Sequence, residues 1–455
     1  MKINNEVLES LVVSRCKIEC IQIELSPKER DDGVKLAGPG SIRQNDDGEI
    51  VVKFYHSFED DNELYETWKA ATGESHPGEI MPKDLYFSME AIDMEGTIWK
   101  ADDVRVQGHF STQVNGVIVE SSIRNISSVK ERASGVDHAK SFLRTIIPGS
   151  HVLPCNEWEE MTNKKTRSKC RVQCSGVEII LMIRDNFVII EVNGQSATVE
   201  ESLVIRLSEA LSIIQGKLCH VLYSSYCGGE VCTTTISSIN RKEPNDPIAS
   251  PIKHRDPLDH ASFQTFLQCY LEATSKPHDV FYEYWHRINR SWQGGLEIAA
   301  LTVTTAVEGI IKDRFSDYIK PDTDFQEQAE SAKEAIQAVE IGDRIREYIS
   351  SSLGNACKGS PKNALRYLEN KGIIDKSLIK SWNILRNKAT HADSLEFNEL
   401  ELQKYLDLVF SCHHLFNILL LISIDFSGYY TNLSKKGWPQ ELMANTDFSK
   451  DLQGA

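Results

Sequence analysis

The chain lacks a long apolar run, an excess of positive charge and the short motifs that mark the commonest catalytic sites. Its longest dense apolar stretch, FNILLLISI from Phe416, falls well short of the ~20 residues needed to span a bilayer, so no membrane partner is expected. The opening MKINNEVLESLVVSRCKIE has no basic leader followed by an apolar core and a small-residue cleavage site. A secretory signal is therefore not expected, and cytoplasm is the expected compartment. Lys and Arg number 50 against 66 Asp and Glu, a formal net charge of -16, which argues against general attraction to nucleic acid. A local basic site is still compatible with that total, because exposed charges beyond roughly 8 Å are largely screened at physiological salt.

No phosphate-binding loop of the G-x4-GK[ST] kind is present, since SYCGGE, Ser225–Glu230, lacks the lysine. G-x-S-x-G and H-E-x-x-H are absent too. The eleven cysteines are scattered. CRVQC (Cys170, Cys174) and CGGEVC (Cys227, Cys232) are close pairs, but neither has the two-residue spacing of a zinc knuckle and no histidine pair completes them. No metal and no cofactor are expected.

What is present is an ordinary globular composition, 41% hydrophobic and 25% charged, over 455 residues, more than one hydrophobic core usually serves. Residues 1–240 read as β-rich. VVSRCKIECIQIEL, EIVVKFYHSF, LYFSMEAIDM, VNGVIVESSI, VEIILMI and NFVIIEV are β-branched and aromatic runs parted by turn residues. One helical interruption is expected at EESLVIRLSEALSIIQG, which has three- and four-residue apolar steps and ends on glycine. The basic run TNKKTRSKCR, Thr162–Arg171, reads as a solvated loop in preference to an RNA contact, and the acidic HSFEDDNELYE should repel RNA. Residues 241–259 hold four prolines and read as a linker. Residues 260–440 read as an all-α bundle of about six or seven helices, with FQEQAESAKEAIQAVEIGDRIREYISSSL as one long polar helix and 441–455 as a tail. The expected fold class is α+β in two parts, a β-rich N-terminal domain followed by a helical one.

The stretch SWNILRNKATHAD, Ser381–Asp393, carries Arg386, Asn387 and His391 near the end of a predicted helix. Asn387 and His391 lie on one stripe, Arg386 and Thr390 on the next, while Trp382 and Leu385 flank the patch with apolar surface. Arg386 and His391 are about 140° apart on an ideal helix, so both reach one ligand only if the helix loosens at THADS. By composition alone this is a solvated bundle face. RNKATH, however, matches the R-x4-H motif of the HEPN ribonucleases, and residues from about Ala261 to Pro439 resemble the Apea-like HEPN family, named for an anti-phage abortive-infection protein. The long helix LTVTTAVEGIIKD, with Glu308 in its middle, the apolar helix after the motif and the closing YYTNLSKKGWP share in the resemblance.

The resemblance implies an endoribonuclease that needs no metal, cutting RNA, with transfer RNA among the candidates, to 2′,3′-cyclic phosphate and 5′-OH ends. It implies a homodimer through the helical domain, a role in phage defence with a phage-derived trigger, and sensing or restraint by the N-terminal domain. The expected catalytic residues are Arg386, Asn387 and His391. His391 suits acid-base work because imidazole titrates near ~6.5; Arg386 suits a phosphate clamp because its guanidinium offers paired donors and stays charged. Glu308, Lys388 and Thr390 are the supporting candidates, with Glu308 a partner for Arg386 or His391. Asp393 reads as a solvating residue at the helix end, and His413 and His414 as satisfied core or surface histidines. The rival readings are a HEPN module that binds nucleotide or protein without cutting, and a ligand sensor acting through the N-terminal domain.

Overall fold

The structure is a computed structural model that describes residues 10–13, 15–29, 34–58, 60–72, 78, 80, 82–106, 108–111, 116–132, 141–161, 164–194, 199–242, 244–274, 276–319, 323–357, 360–390 and 398–443. The chain gathers into two compact units, Met1–Ser208 with Cys219–Asn245, and Glu209–Leu218 with Asp246–Ala455. The fold is α+β: a large antiparallel sheet, then a helical region of eight helices among the described residues.

The first unit holds β1 (Lys17–Pro27), β2 (Leu36–Gln44), β3 (Ile50–Ser57), α1 (Asp61–Thr72), β4 (Tyr86–Asp93), β5 (Ile98–Arg105), β6 (Gly108–Ser111), β7 (Gly116–Ile123) and β8 (Asn125–Glu131). It continues with β9 (Phe142–Pro148), β10 (Glu157–Met161), β11 (Lys164–Cys174), β12 (Val177–Arg184), β13 (Phe187–Gly194), the first residues of α2 (Leu203–Gln215), β14 (Tyr223–Gly228) and β15 (Val231–Ser237). Among the described residues fifteen strands share one sheet, in the order β10-β11-β12-β13-β9-β14-β15-β8-β5-β4-β1-β2-β3-β7-β6. Alternation sets which face is buried: β7 sends Val117, Val119 and Ile123 inward and packs them in one core with Val52 and Phe54 of β3. The join between the two halves of the sheet is thin, a single β5–β8 register pair at Lys100 and Ser127. Gly38 and Gly40 let β2 lie close to β3, since a Cβ at Gly40 would stand 2.2 Å from the Lys53 carbonyl oxygen.

Two elements of this unit differ from expectation. HSFEDDNELYE runs from the end of β3 into α1, a second helical interruption; buried His56 takes a hydrogen bond from the Ala37 N–H at Nδ1 (3.1 Å) and meets Glu63 of α1 through Nε2 (3.2 Å). From Lys164 onward the basic run is a strand, β11, not a loop, and Thr162 and Asn163 lie outside the described residues. Its neighbour β10 and the following β12 carry the carboxylates that make a lysine- and arginine-rich ladder stable.

From Glu209 onward α2 belongs to the second unit. Gly216 ends it at φ +69°, and its carbonyl accepts from Asn289 Nδ2 (3.0 Å) and the Ile248 N–H (2.8 Å). The helices that follow are α3 (His260–Ala273), α4 (Val280–Ser291), α5 (Leu296–Arg314), α6 (Thr323–Gln337), α7 (Asp343–Cys357), α8 (Pro361–Asn370), α9 (Lys376–Thr390) and α10 (Glu399–Ser423). The long polar run is thus two helices, α6 and α7, parted at Ala338–Gly342. Glycine and the β-branched Val339 and Ile341 favour helix there less than the alanines and glutamates before them.

At the centre, α5 packs against α4, α9 and α10. Gly309 permits the approach of α4, because a Cβ there would sit 2.4 Å from the Tyr284 ring. Asp279 caps α4 and also holds Arg314 at the far end of α5 (2.9 Å), whose guanidinium lies 4.3 Å over Phe281. The apolar run from Phe416 sits on the 25-residue α10, which has the length and composition of a membrane-crossing helix. Every residue from His413 to Ile422 is buried inside the unit. After it, β16 (Gly428–Thr431) pairs with β17 (Gln440–Met443), so residues 441–443 are strand where a tail was expected.

Candidate functional site

The stretch 381–390 lies on α9, begun by Asp375, whose Oδ1 accepts from the Ser377 N–H at 2.7 Å. Leu378, Ile379, Trp382 and Leu385 recur at helical steps and are all buried. Arg386, Asn387 and Lys388 follow on the exposed side. The helix therefore anchors by one stripe and presents the other.

Trp382 is the hinge between them. Its indole is 1% exposed and donates from Nε1 to the Thr304 carbonyl of α5 at 3.1 Å. Four residues on, Arg386 lays its guanidinium 5.5 Å from that ring, and Nη2 reaches Glu308 Oε2, one turn beyond Thr304, at 3.2 Å. Lys312 holds the other carboxylate oxygen of Glu308 at 3.2 Å. Arg386 is 49% exposed and Glu308 22%, so one carboxylate, partly shielded, bridges two cations at a surface. The structure thus brings Arg386 and Glu308 together although 78 residues separate them in the chain.

His391 and Asp393 lie outside the described residues, as does the side chain of Thr390. The described helix ends at Thr390.

Further along, α10 buries His413 and His414, at 1% and 2% exposure. Among the described residues, no group hydrogen-bonds to either ring nitrogen of His413, to Nδ1 of His414 or to the side-chain oxygen and nitrogen of Asn417. These histidines belong to the core. Burial pushes both imidazoles down to about 4, so each is neutral at physiological pH. His414 stacks on Tyr430 at 5.8 Å, and Tyr430 Oη donates to Glu441 Oε2 at 2.9 Å. Glu441 also takes Lys435 Nζ at 2.6 Å and Asn432 Nδ2 at 3.0 Å, so YYTNLSKKGWP forms a hairpin clasped on itself and seated on α10.

A second group of titratable residues was not legible in the sequence. Glu209, 1% exposed, accepts from Tyr270 Oη at 3.1 Å and from the His278 N–H at 2.7 Å, and the His278 ring stands 3.6 Å away. Burial raises the Glu209 carboxyl above the usual range. Its members come from three separate segments, and its hydrogen bonds fasten the middle of α2 to α3 and to the residues just before α4.

In the first unit the basic strand β11 is paired off. Arg171 lies between Glu157 (2.6 Å) and Glu178, Lys169 meets Glu157 at 3.4 Å, and Arg167 covers Trp158 at 5.0 Å. Cys170 and Cys174 are buried on that strand, and among the described residues no three His, Cys, Asp or Glu side chains come together as a metal-binding group. The chain matches no protein-family model, no curated protein and no solved structure in the three comparisons made with known proteins.

Proposed function

We propose that the helical unit is an endoribonuclease of the HEPN type, working without a metal ion, with Arg386, Asn387 and His391 as its site. The observation that carries this reading is the presentation of Arg386: a half-exposed guanidinium at the end of α9, laid on the fixed indole of Trp382 and steadied by Glu308 of α5. A planar cation held this way is ready to meet two phosphate oxygens. In the proposed reaction the ribose 2′-oxygen attacks its own phosphorus and the bond to the 5′-oxygen breaks. The proton lost by the 2′-OH is taken up by a base and another is delivered to the departing oxygen, work assigned to the imidazole of His391. Asn387, one turn before His391 in the sequence, is assigned to orient that ring, and Lys388 and Thr390 to line the approach.

On this reading the substrate is RNA, transfer RNA among the candidates, the protein works as a homodimer in the cytoplasm, and its role is defence against phage. The β-rich unit is the sensing or restraining part, answering a phage-derived trigger. A second reading has its own support. Glu308 already occupies Arg386, which also suits a module that binds nucleotide or protein without cutting.

End mapping separates the two. Purified wild type and His391→Ala are incubated in EDTA with total tRNA and a long RNA. Cleavage by wild type alone, leaving cyclic phosphate and 5′-OH ends, is the expected result; RNA left whole by both supports the binding module.

A further inference from the structure

We propose that Cys227 and Cys232 are a reversible redox site in the β-rich unit, exchanging with low-molecular-weight thiols and disulfides of the glutathione class. This is independent of the ribonuclease reading. The two cysteines are joined in a disulfide, and the other nine are thiols. They sit on β14 and β15, joined by the two-residue turn Gly229-Glu230, with Gly229 at φ +59°. Cys227 stands directly opposite Cys232 in the ladder, with Cα atoms 4.1 Å apart. That closeness belongs to the strand pairing, since opposed residues of an antiparallel ladder approach to roughly 4.5 Å in the pairs that exchange no hydrogen bonds. The sulfurs therefore stay neighbours whether bonded or free.

The pairing also makes the bond dispensable for the fold. β14 is paired on its other side with β9, and β15 with β8, so hydrogen bonds on both flanks hold the hairpin. The crosslink closes a loop with a sequence separation of only 5, so it constrains the unfolded chain less than a long-range crosslink would.

Access favours this pair as well. Gly229, Glu230 and Val231 are exposed and Cys232 is half-buried, while Cys227 lies beneath. An incoming thiolate attacks Cys232 Sγ, the S–S bond breaks, and Cys227 leaves as a thiolate that takes a proton. A second thiolate attacks the resulting mixed disulfide and frees Cys232, so one disulfide and two small thiols become two cysteine thiols and one small disulfide. Elsewhere burial suppresses such chemistry: the thiols of Cys16, Cys20, Cys155 and Cys269 are pushed up to about 11, and those of Cys170 and Cys412 higher still.

The test equilibrates the full chain, without oxygen, in glutathione buffers running from fully reduced to mostly oxidised. Samples are quenched in acid, denatured, alkylated and mapped by peptide mass. Cys227 and Cys232 should pass together from alkylated to bonded across the series and return when the buffer is reversed, with Cys155, Cys170 and Cys174 alkylated throughout. In Cys232→Ser, Cys227 should stay alkylatable or carry one glutathione, and circular dichroism should show the fold retained. A pair that remains thiol in the most oxidised buffer overturns the proposal. So does one that stays bonded in excess dithiothreitol without denaturant, or oxidation of other cysteines in its place.

Discussion

On β11, Arg171 is gripped between Glu157 and Glu178 and Lys169 shares Glu157, so the C-terminal part of this basic run is matched by carboxylates of its neighbouring strands. On α9, Arg386 pairs with Glu308, and Lys312 holds the other oxygen of the same carboxylate. The difference follows from the elements. A strand places its side chains opposite two neighbouring strands at about 5 Å, and here both neighbours bring glutamates. On α9 the carboxylate that meets Arg386 comes from one packed helix, α5, and is shared with Lys312. Density of positive charge in a sequence therefore marks a ladder as readily as a binding site; on β11 carboxylates from both flanking strands grip one cation, whereas on α9 one carboxylate is shared between two cations.

The largest test of this contrast is removal of the proposed chemistry. Arg386→Ala should lower RNA cleavage by about 10²- to 10³-fold and His391→Ala by about 10²- to 10⁴-fold, read as initial rates on one RNA. Retained cleavage in either variant breaks the assignment.

Next is a pH effect that sets the buried imidazoles of α10 against the His391 assigned to catalysis. His413 and His414 are held near 4 in the fold, against ~6.5 in an unfolded chain. Between those values the unfolded chain binds more protons, so their contribution is complete above about pH 6.5 and is lost as pH falls toward 4. The loss is on the order of 3 kcal/mol per ring. Urea midpoints at pH 7 and pH 4.5 should differ accordingly, and His413→Leu should flatten the difference. An equal slope in that variant would place the titrating groups elsewhere.

Glu308→Gln sharpens the comparison by releasing Arg386. RNA should bind a few-fold tighter while cleavage falls about tenfold, because the guanidinium gains freedom as it loses its carboxylate. If binding and cleavage both rise, Glu308 restrains the site where the account has it steadying the arginine. The smallest effect belongs to β11: Arg171→Met should cost at most about 1 kcal/mol of stability and leave RNA cleavage unchanged. Loss of cleavage there would mean that the clasped strand contacts the substrate.

The α+β division was legible because its two periods are local. Alternation in GVIVESSI and three- and four-residue steps in LVIRLSEALSIIQ each appear within a dozen residues. β11 was not legible as a strand, since lysine, arginine and serine are weak strand formers alone and the glutamates that steady them lie on β10 and β12. The break between α6 and α7 was hidden by a polar period that runs through Gly342. At the candidate site, the buried stripe of Trp382 and Leu385 could be read from spacing. The Nε1 bond to Thr304 and the grip of Lys312 on Glu308 depend on how α5 packs against α9, which periodicity does not encode.

The central claim is that Arg386, not the basic run of β11, is the working cation of this protein. It is tested most directly by incubating one labelled RNA in EDTA with wild type, Arg386→Ala and Arg171→Met at equal, verified folding. The account predicts cyclic-phosphate products from wild type and Arg171→Met and almost none from Arg386→Ala. Equal cutting by Arg386→Ala, or cutting lost only in Arg171→Met, would contradict it.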